Sequence, residues 1–173
     1  DLTFLRRENR ELDRLINDAS SLMSLTSVSE MLDFVISRLL DHFMPGFLAF
    51  LIQPPRGNCI RQYCYRNLKQ VNDKVPQLYY ELLKKRFMDY PGQLSIEELL
   101  ANDEAGEFSG EFLRYQPELI YPMRSIGGLY GIVILGAKVL GDKYTVLEQL
   151  YVDRMTRFLA VGIQNGLHHE SSI

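Results

Sequence analysis

Apolar residues recur from Thr3 to Leu25 at helical intervals: Leu5, Leu12 and Ala19 stand at sevens, with Leu15 and Leu22 interleaved and Ile16 and Met23 beside them. That spacing draws an apolar stripe along a helix. Arg6, Arg7, Glu8, Arg10, Glu11 and Arg14 fill the opposite faces. The charged first half has too few apolar residues to be core throughout, so the pattern predicts a helix that leaves the globule and pairs with a partner. A second helix follows, capped by Ser27 or Ser29, with Met31, Leu32, Val35, Ile36, Leu39, Leu40 and Phe43 as its buried stripe and Pro45-Gly46 as its end.

The period then changes. Phe47 to Ile52 is apolar on both alternating faces, which places it in the middle of a sheet covered on both sides. Pro54-Pro55-Arg56-Gly57-Asn58 is a turn, and Cys59 to Arg66 returns as a more polar strand nearer an edge, with Tyr63 and Tyr65 on one face. Asn67 to Gln116 is less regular: a helix over Pro76 to Met88, an extended piece near Gln93 to Ile96, and short helical segments at Ile96 to Leu100 and Glu107 to Tyr115. Glu118 to Arg124 and Leu129 to Ala137 form a second hairpin around Ser125 to Gly128, the latter strand again apolar on both faces. A long helix begins near Thr145, with Leu147, Leu150, Tyr151, Met155, Phe158, Leu159, Ile163 and Leu167 as its stripe. Hairpin-joined strands with helices at both ends predict an α+β domain with an antiparallel sheet.

Composition narrows the function classes. The chain has 173 residues, enough for one domain with a real core and no need of disulfides or metals. A net charge of -3 gives no uniform electrostatic footprint for nucleic acid. No apolar run reaches the roughly 18 to 20 residues of a membrane span, the opening is charged rather than signal-like, and Cys59 and Cys64 form no CxxC pair. These features predict a cytoplasmic setting with no membrane contact by this segment. The start at Asp1 predicts a piece of a larger protein.

No catalytic constellation stands out: there is no HExxH, no Ser-His-Asp spacing and no paired carboxylate motif. Asp103-Glu104 with Glu107 reads as a solvated loop. Cys59 and Cys64 differ by an odd offset, so on one strand they face opposite ways and read as two structural thiols. His42 follows Asp41 at a helix end, where a cation suits the macrodipole, and His168 and His169 share no helix face, so no metal or cofactor is implied. Gly127-Gly128 lies between strands and so makes a hairpin, not a phosphate loop. Lys84-Lys85-Arg86 reads as a solvated face, and Arg61, Arg66 and Arg124 as pocket groups or edge residues. Tyr63, Tyr65, Phe87, Phe108, Phe112 and Tyr121, with Met123 beside them, are the candidate lining of a ligand pocket, against the competing reading as core.

The last third resembles the C-terminal signature of GAF domains. Its parts are Tyr121-Pro122-Met123, the turn Ser125-Ile126-Gly127-Gly128, the strand Gly131 to Gly136, Tyr144-Thr145-Val146-Leu147-Glu148, and Gln164-Asn165-Gly166 in the final helix. The first two helices and the Phe47 to Ile52 strand fit in order and length; Asn67 to Gln116 is unmatched by motif. The resemblance implies a GAF/PAS-like antiparallel sheet of five or six strands with the terminal helices packed on one face and a pocket on the other. It divides the chain into an N-terminal helix (1–25), a GAF core (26–143) and a C-terminal helix leading to an output domain (144–173). It also implies a homodimer through the terminal helices, with Leu5, Leu12, Leu15, Leu22, Phe158 and Leu159 at the interface.

Special chemistries of the family are poorly matched. Asn102-Asp103-Glu104 with Phe108 lacks the Lys and the later Asp-Glu of cyclic-nucleotide binders, and the Cys-His and Asp-Ile-Pro features of bilin binders are missing. The cysteine cluster of methionine sulfoxide reducing members is incomplete. The expected function is therefore non-catalytic: a small-molecule-sensing and dimerisation domain regulating an attached output domain, or a ligand-free dimerisation platform of the same fold.

Overall fold

In the computed structural model, residues 1–54, 56 and 59–172 are described, with side chains described no further than 166. The turn residues Pro55, Gly57 and Asn58, and the side chains of Leu167, His168 and His169, lie outside the described residues. The chain opens with α1 (Leu2–Met23) and α2 (Val28–Phe43). Ser27 is the cap of α2, its hydroxyl accepting from the Glu30 N–H at 3.0 Å. The helix stops at Met44, which turns left-handed with φ 47° just before Pro45.

Next come β1 (Phe47–Ile52), β2 (Arg61–Arg66), β3 (Lys69–Val71), α3 (Gln77–Asp89), β4 (Leu94–Ser95) and α4 (Ile96–Ala101). A 3₁₀ turn (Glu111–Tyr115), β5 (Pro117–Ser125), β6 (Gly128–Gly136) and α5 (Val146–Ser172) complete the order. Two features depart from the sequence pattern. Cys59 and Ile60 precede β2 rather than belonging to it, and β3 was not foreseen. Three residues beginning Lys69-Gln70 are too short and too polar to register as a strand by period.

The strands form one antiparallel sheet in the order β3-β2-β1-β6-β5-β4. Phe50 faces Tyr63 on one side and Val133 on the other, so β1 and β6 are central as expected. Ser125 pairs with Gly128, leaving Ile126-Gly127 as the loop, and Gly128 takes φ 129°, a conformation that side chains disfavour. All six residues of β1 are buried. One face of the sheet, through Leu48, Phe50, Tyr121, Val133 and Leu135, packs against α1, α2 and α5. The other, through Ala49, Leu51, Ile120, Ile132 and Ile134, packs against α3, α4 and the 3₁₀ turn. The result is a helix–sheet–helix sandwich of α+β class.

Close backbone approach sets one glycine. A Cβ on Gly136 would stand 2.8 Å from the Phe47 carbonyl oxygen and 3.0 Å from its nitrogen, with neither able to give way. Gly136→Ala is therefore expected to lower stability by about 1–3 kcal/mol through overpacking, read as a lower urea midpoint at unchanged slope. An unchanged midpoint would show that β1 and β6 can separate freely.

Candidate functional site

Helix α1 carries two stripes. Leu15 and Leu22 face inward with Asp18 between them; Leu22 is wholly buried and Leu15 partly so. Leu5, Leu12, Ile16 and Met23 fall within an arc of about 40° on the helical wheel, turned about 100° from the inner stripe. They are 53%, 42%, 63% and 68% exposed, so the more apolar stripe faces away from its own domain. Beside Met23, a groove of about 410 Å³ opens between the helices, lined by Leu25, Met31, Phe158, Val161 and Gly162.

This arrangement divides the residues expected at one interface into two groups. Leu22 and Leu159 are enclosed by the chain's own core and offer no surface, and Leu15 packs inward with Phe158 half-buried. Leu5 and Leu12 stay open, joined by Ile16, Met23 and Val161. The wheel angle held the missing signal: residues 5, 12, 16 and 23 share one direction, whereas 15 and 22 point elsewhere.

At the centre of the inner stripe Asp18 is buried, 8% exposed. Its Oδ2 accepts from the Tyr151 hydroxyl of α5 at 2.5 Å and from His42 Nε2 of α2 at 3.0 Å; Arg38 Nε stands 3.6 Å from Oδ1. A carboxylate here can only accept, so Nε2 is the protonated nitrogen of His42. Burial, then the hydrogen bond and charge of Asp18, push the Tyr151 hydroxyl far above its ordinary range, which keeps it a donor. The expected role of His42 at the end of α2 is thus joined by a specific partner in α1. Since Asp18 meets Tyr151 while Met23 and Leu25 reach Phe158 and Gly162, α1 and α5 run in the same direction.

A second buried charge pins the start of α5. Lys138 Nζ donates to Asp142 at 2.8 Å and to both Glu148 oxygens at 2.9 Å, and lies 5.1 Å over the Tyr144 ring. Burial works against its charge, but the hydrogen bonds and charges of Asp142 and Glu148 outweigh it and raise the amine above its ordinary value. Glu148 also closes a reciprocal cap with Thr145, accepting from its N–H at 2.8 Å while the Thr145 hydroxyl accepts from the Glu148 N–H at 3.1 Å.

The seven residues expected to line a pocket are divided by the sheet. Tyr63, Tyr65, Tyr121 and Met123 lie on the terminal-helix side; Phe87, Phe108 and Phe112 lie on the other. Strand alternation dictates this: in β5, Leu119, Tyr121 and Met123 share the helix face while Ile120 points away. Tyr121 donates to the Gln149 carbonyl at 3.2 Å from within the helix-side core. On the opposite face the aromatic rings fill space with one another. Phe108 meets Phe112 edge-on at 5.3 Å, Tyr79 lies 5.1 Å from Phe112, and Tyr115 stacks on Phe47 at 4.7 Å.

Against the solvated loop that the sequence predicts, the Asp103 side chain is only 2% exposed. It accepts from the Glu107 and Phe108 N–H groups at 2.8 and 2.9 Å, folding the loop so that Phe108 plugs the core. Arg86, read with Lys84 and Lys85 as a solvated run, caps this plug: it donates to the Asn102 carbonyl at 2.6 Å and lies over the Phe108 ring. Within the same core the Tyr80 hydroxyl is buried with no partner among the described residues.

The remaining candidates are scattered. Cys59 is exposed and Cys64 buried, so only the latter is a structural thiol, its pKa raised by burial. Arg66 lies over Phe47, Arg124 donates to the Tyr90 carbonyl at 3.4 Å, and Arg61 is exposed; they converge on no common site. Among the described residues no group of three or more His, Cys, Asp or Glu is arranged to hold a metal, and no helix is long and apolar enough to cross a membrane.

No protein-family model matches the sequence, and no curated protein is similar to it in sequence. Solved structures are similar in fold. The GAF domain from Acinetobacter phosphoenolpyruvate-protein phosphotransferase superposes with a TM-score of 0.66 at 15% identity, over 92% of this chain and 96% of that one. The GAF domain of the potassium sensor histidine kinase KdpD from Escherichia coli gives 0.55 at 14% identity, over 91% and 96%. Free methionine-R-sulfoxide reductase from Neisseria meningitidis, solved with its substrate, gives 0.57 at 11% identity, over 94% and 93%.

The orphaned Tyr80 hydroxyl makes a measurable prediction. Burial and the charge of Glu81 push it from an ordinary 10.0 up to about 12. An acid held protonated in the fold loses stability as pH rises, here from 10 toward 12, because the unfolded chain ionises first. Tyr80→Phe should make that alkaline loss shallower and raise neutral-pH stability by about 1 kcal/mol, since it removes an unpaired buried donor. Urea titrations at pH 7 and pH 11 check both effects; a destabilised variant would mean that the hydroxyl has a partner in solution.

Proposed function

We propose that this chain, built on the fold of GAF domains, is a non-catalytic regulatory domain that pairs with a second copy of itself through α1 and α5. The observation that carries this reading is the outward stripe Leu5, Leu12, Ile16 and Met23, continued by Val161 on α5. Ordering a residue costs roughly 1–2 kcal/mol, while a fully buried leucine returns only about 1.5–3 kcal/mol. Leu22 wholly buried, with Leu15 and Leu25 partly so, is a thin anchor for a helix of 22 residues. A second copy that covers the outer stripe would supply the missing burial and, with helices in one direction, a parallel bundle.

Likeness to the GAF domains of a phosphotransferase and a histidine kinase supports an attached output domain whose activity the pairing would govern. Between the two expected modes, the aromatic plug of Phe108, Phe112 and Tyr79 favours a platform filled by its own side chains. One observation favours a sensor instead: the unpartnered Tyr80 hydroxyl, which a small polar ligand entering that core could satisfy. Cys59 exposed and Cys64 buried form no cysteine cluster, which supports the non-catalytic reading despite the fold's likeness to a sulfoxide reductase.

Sedimentation equilibrium tests the pairing. The wild type is expected to be a dimer, and Leu12→Asp with Ile16→Asp a folded monomer, with its circular dichroism kept apart from some loss over α1. Leu15→Asp should instead destabilise the chain itself, because that side chain points inward. A dimer that survives the Leu12/Ile16 change removes the outer stripe from the interface. Native mass spectrometry of the same sample separates the two modes, a bare dimer supporting the platform and a dimer with added small-molecule mass the sensor.

A further inference from the structure

Asp18 receives its hydrogen bonds from outside its own helix, Tyr151 from α5 and His42 from α2, with Arg38 of α2 nearby. Among the described residues, Asp18 and Leu22 are the two buried positions of α1. The helix therefore rests on its domain through one wholly enclosed leucine and one enclosed carboxylate, one helical turn apart, with Leu15 partly buried beside them. A buried carboxylate is stable only while its donors are in place, so losing one weakens the others' hold as well.

The alternative to this docked state is not penalised in the usual way. If α1 swings off about the short link at residues 24–27, Asp18, His42 and Arg38 all regain water together, and no charge is left buried alone. The face beneath belongs to α2 and α5, which also pack directly on each other and share a core with the sheet through Val35, Leu39, Val152, Met155 and Leu159. Both arrangements thus satisfy their polar groups, which is what a two-state element requires.

We propose that Asp18, His42, Arg38 and Tyr151 form a latch, and that α1 docks on and releases from the remaining folded domain as a unit under its control. This deepens the regulatory reading given above, because release of α1 would dismantle the outer pairing stripe, but the latch itself works within a single chain. Asp18 is here a positioning residue: it fixes where α1 lies against α5.

Hydrogen exchange followed by mass spectrometry on the whole chain tests it, comparing wild type with Tyr151→Phe, Asp18→Asn and the double variant. The expected result is amide exchange about tenfold faster over residues 12–23 in each single variant, the effect of losing one hydrogen bond to a charged group. Exchange in β1 and β6 should stay at the wild-type rate. The double variant should exchange no faster than the quicker single one, because both changes open one latch. Unchanged α1 exchange, additive effects, or equal acceleration in α1 and the central strands would each overturn the proposal. Sedimentation of the same samples keeps the two readings apart: a wild-type monomer with the α1-confined response upholds the latch and sinks the pairing, and a dimer with an unresponsive α1 does the reverse.

Discussion

The rest of the structure hangs on the double-sided burial of β1 and β6. Phe47–Ile52 and the core of Gly128–Gly136 put apolar side chains on both faces, and neither face can be left to water. One layer of helices would cover half of that surface. The chain answers with α2 and α5 on one side and the segment between β2 and β5 on the other. Gly136 shows how tightly the central pair closes, since no side chain fits between β6 and the Phe47 backbone.

Charge then decides what packing alone leaves free. Apolar contacts hold α5 on the sheet but are indifferent to small slides and rotations. Lys138 fixes its first turn through Glu148 and Asp142, and Tyr151 ties its next turn to Asp18. Two buried polar anchors on one helix, each directional, define its position in a way that leucines do not. Regulation by the terminal helices would have to act against these anchors.

Much of the fold was legible because its signals are local. Doubly apolar strands, a serine cap at Ser27 or Ser29 and the hairpin around Ser125 to Gly128 each follow from a few adjacent residues. The strand β3 escaped because three residues, two of them polar, carry no period. The candidate site was harder for a different reason: its residues meet through tertiary contacts that no local period encodes. Tyr121 and Phe112 both look like pocket aromatics in isolation, yet strand parity sends one to each side of the sheet. Asp103 looks solvated until the two backbone N–H groups it accepts from are seen, and Asp18 stands out in an apolar stripe without naming its partner 133 residues away. Leu12 and Leu15 were grouped by spacing, where wheel angle would have parted them.

The shared direction of α1 and α5 has a consequence for how such a unit joins to others. A chain continued at both ends would arrive along one helix and depart along its neighbour without doubling back, so such a unit would behave as a coupling on a shaft rather than as a bead on a side branch. Copies joined through continuous helices would keep a common axis, and each residue added at a junction would turn the next unit by about 100° and advance it by about 1.5 Å. Junction length would then act as a gear setting, with insertions of seven residues nearly restoring the original phase and insertions of two reversing it.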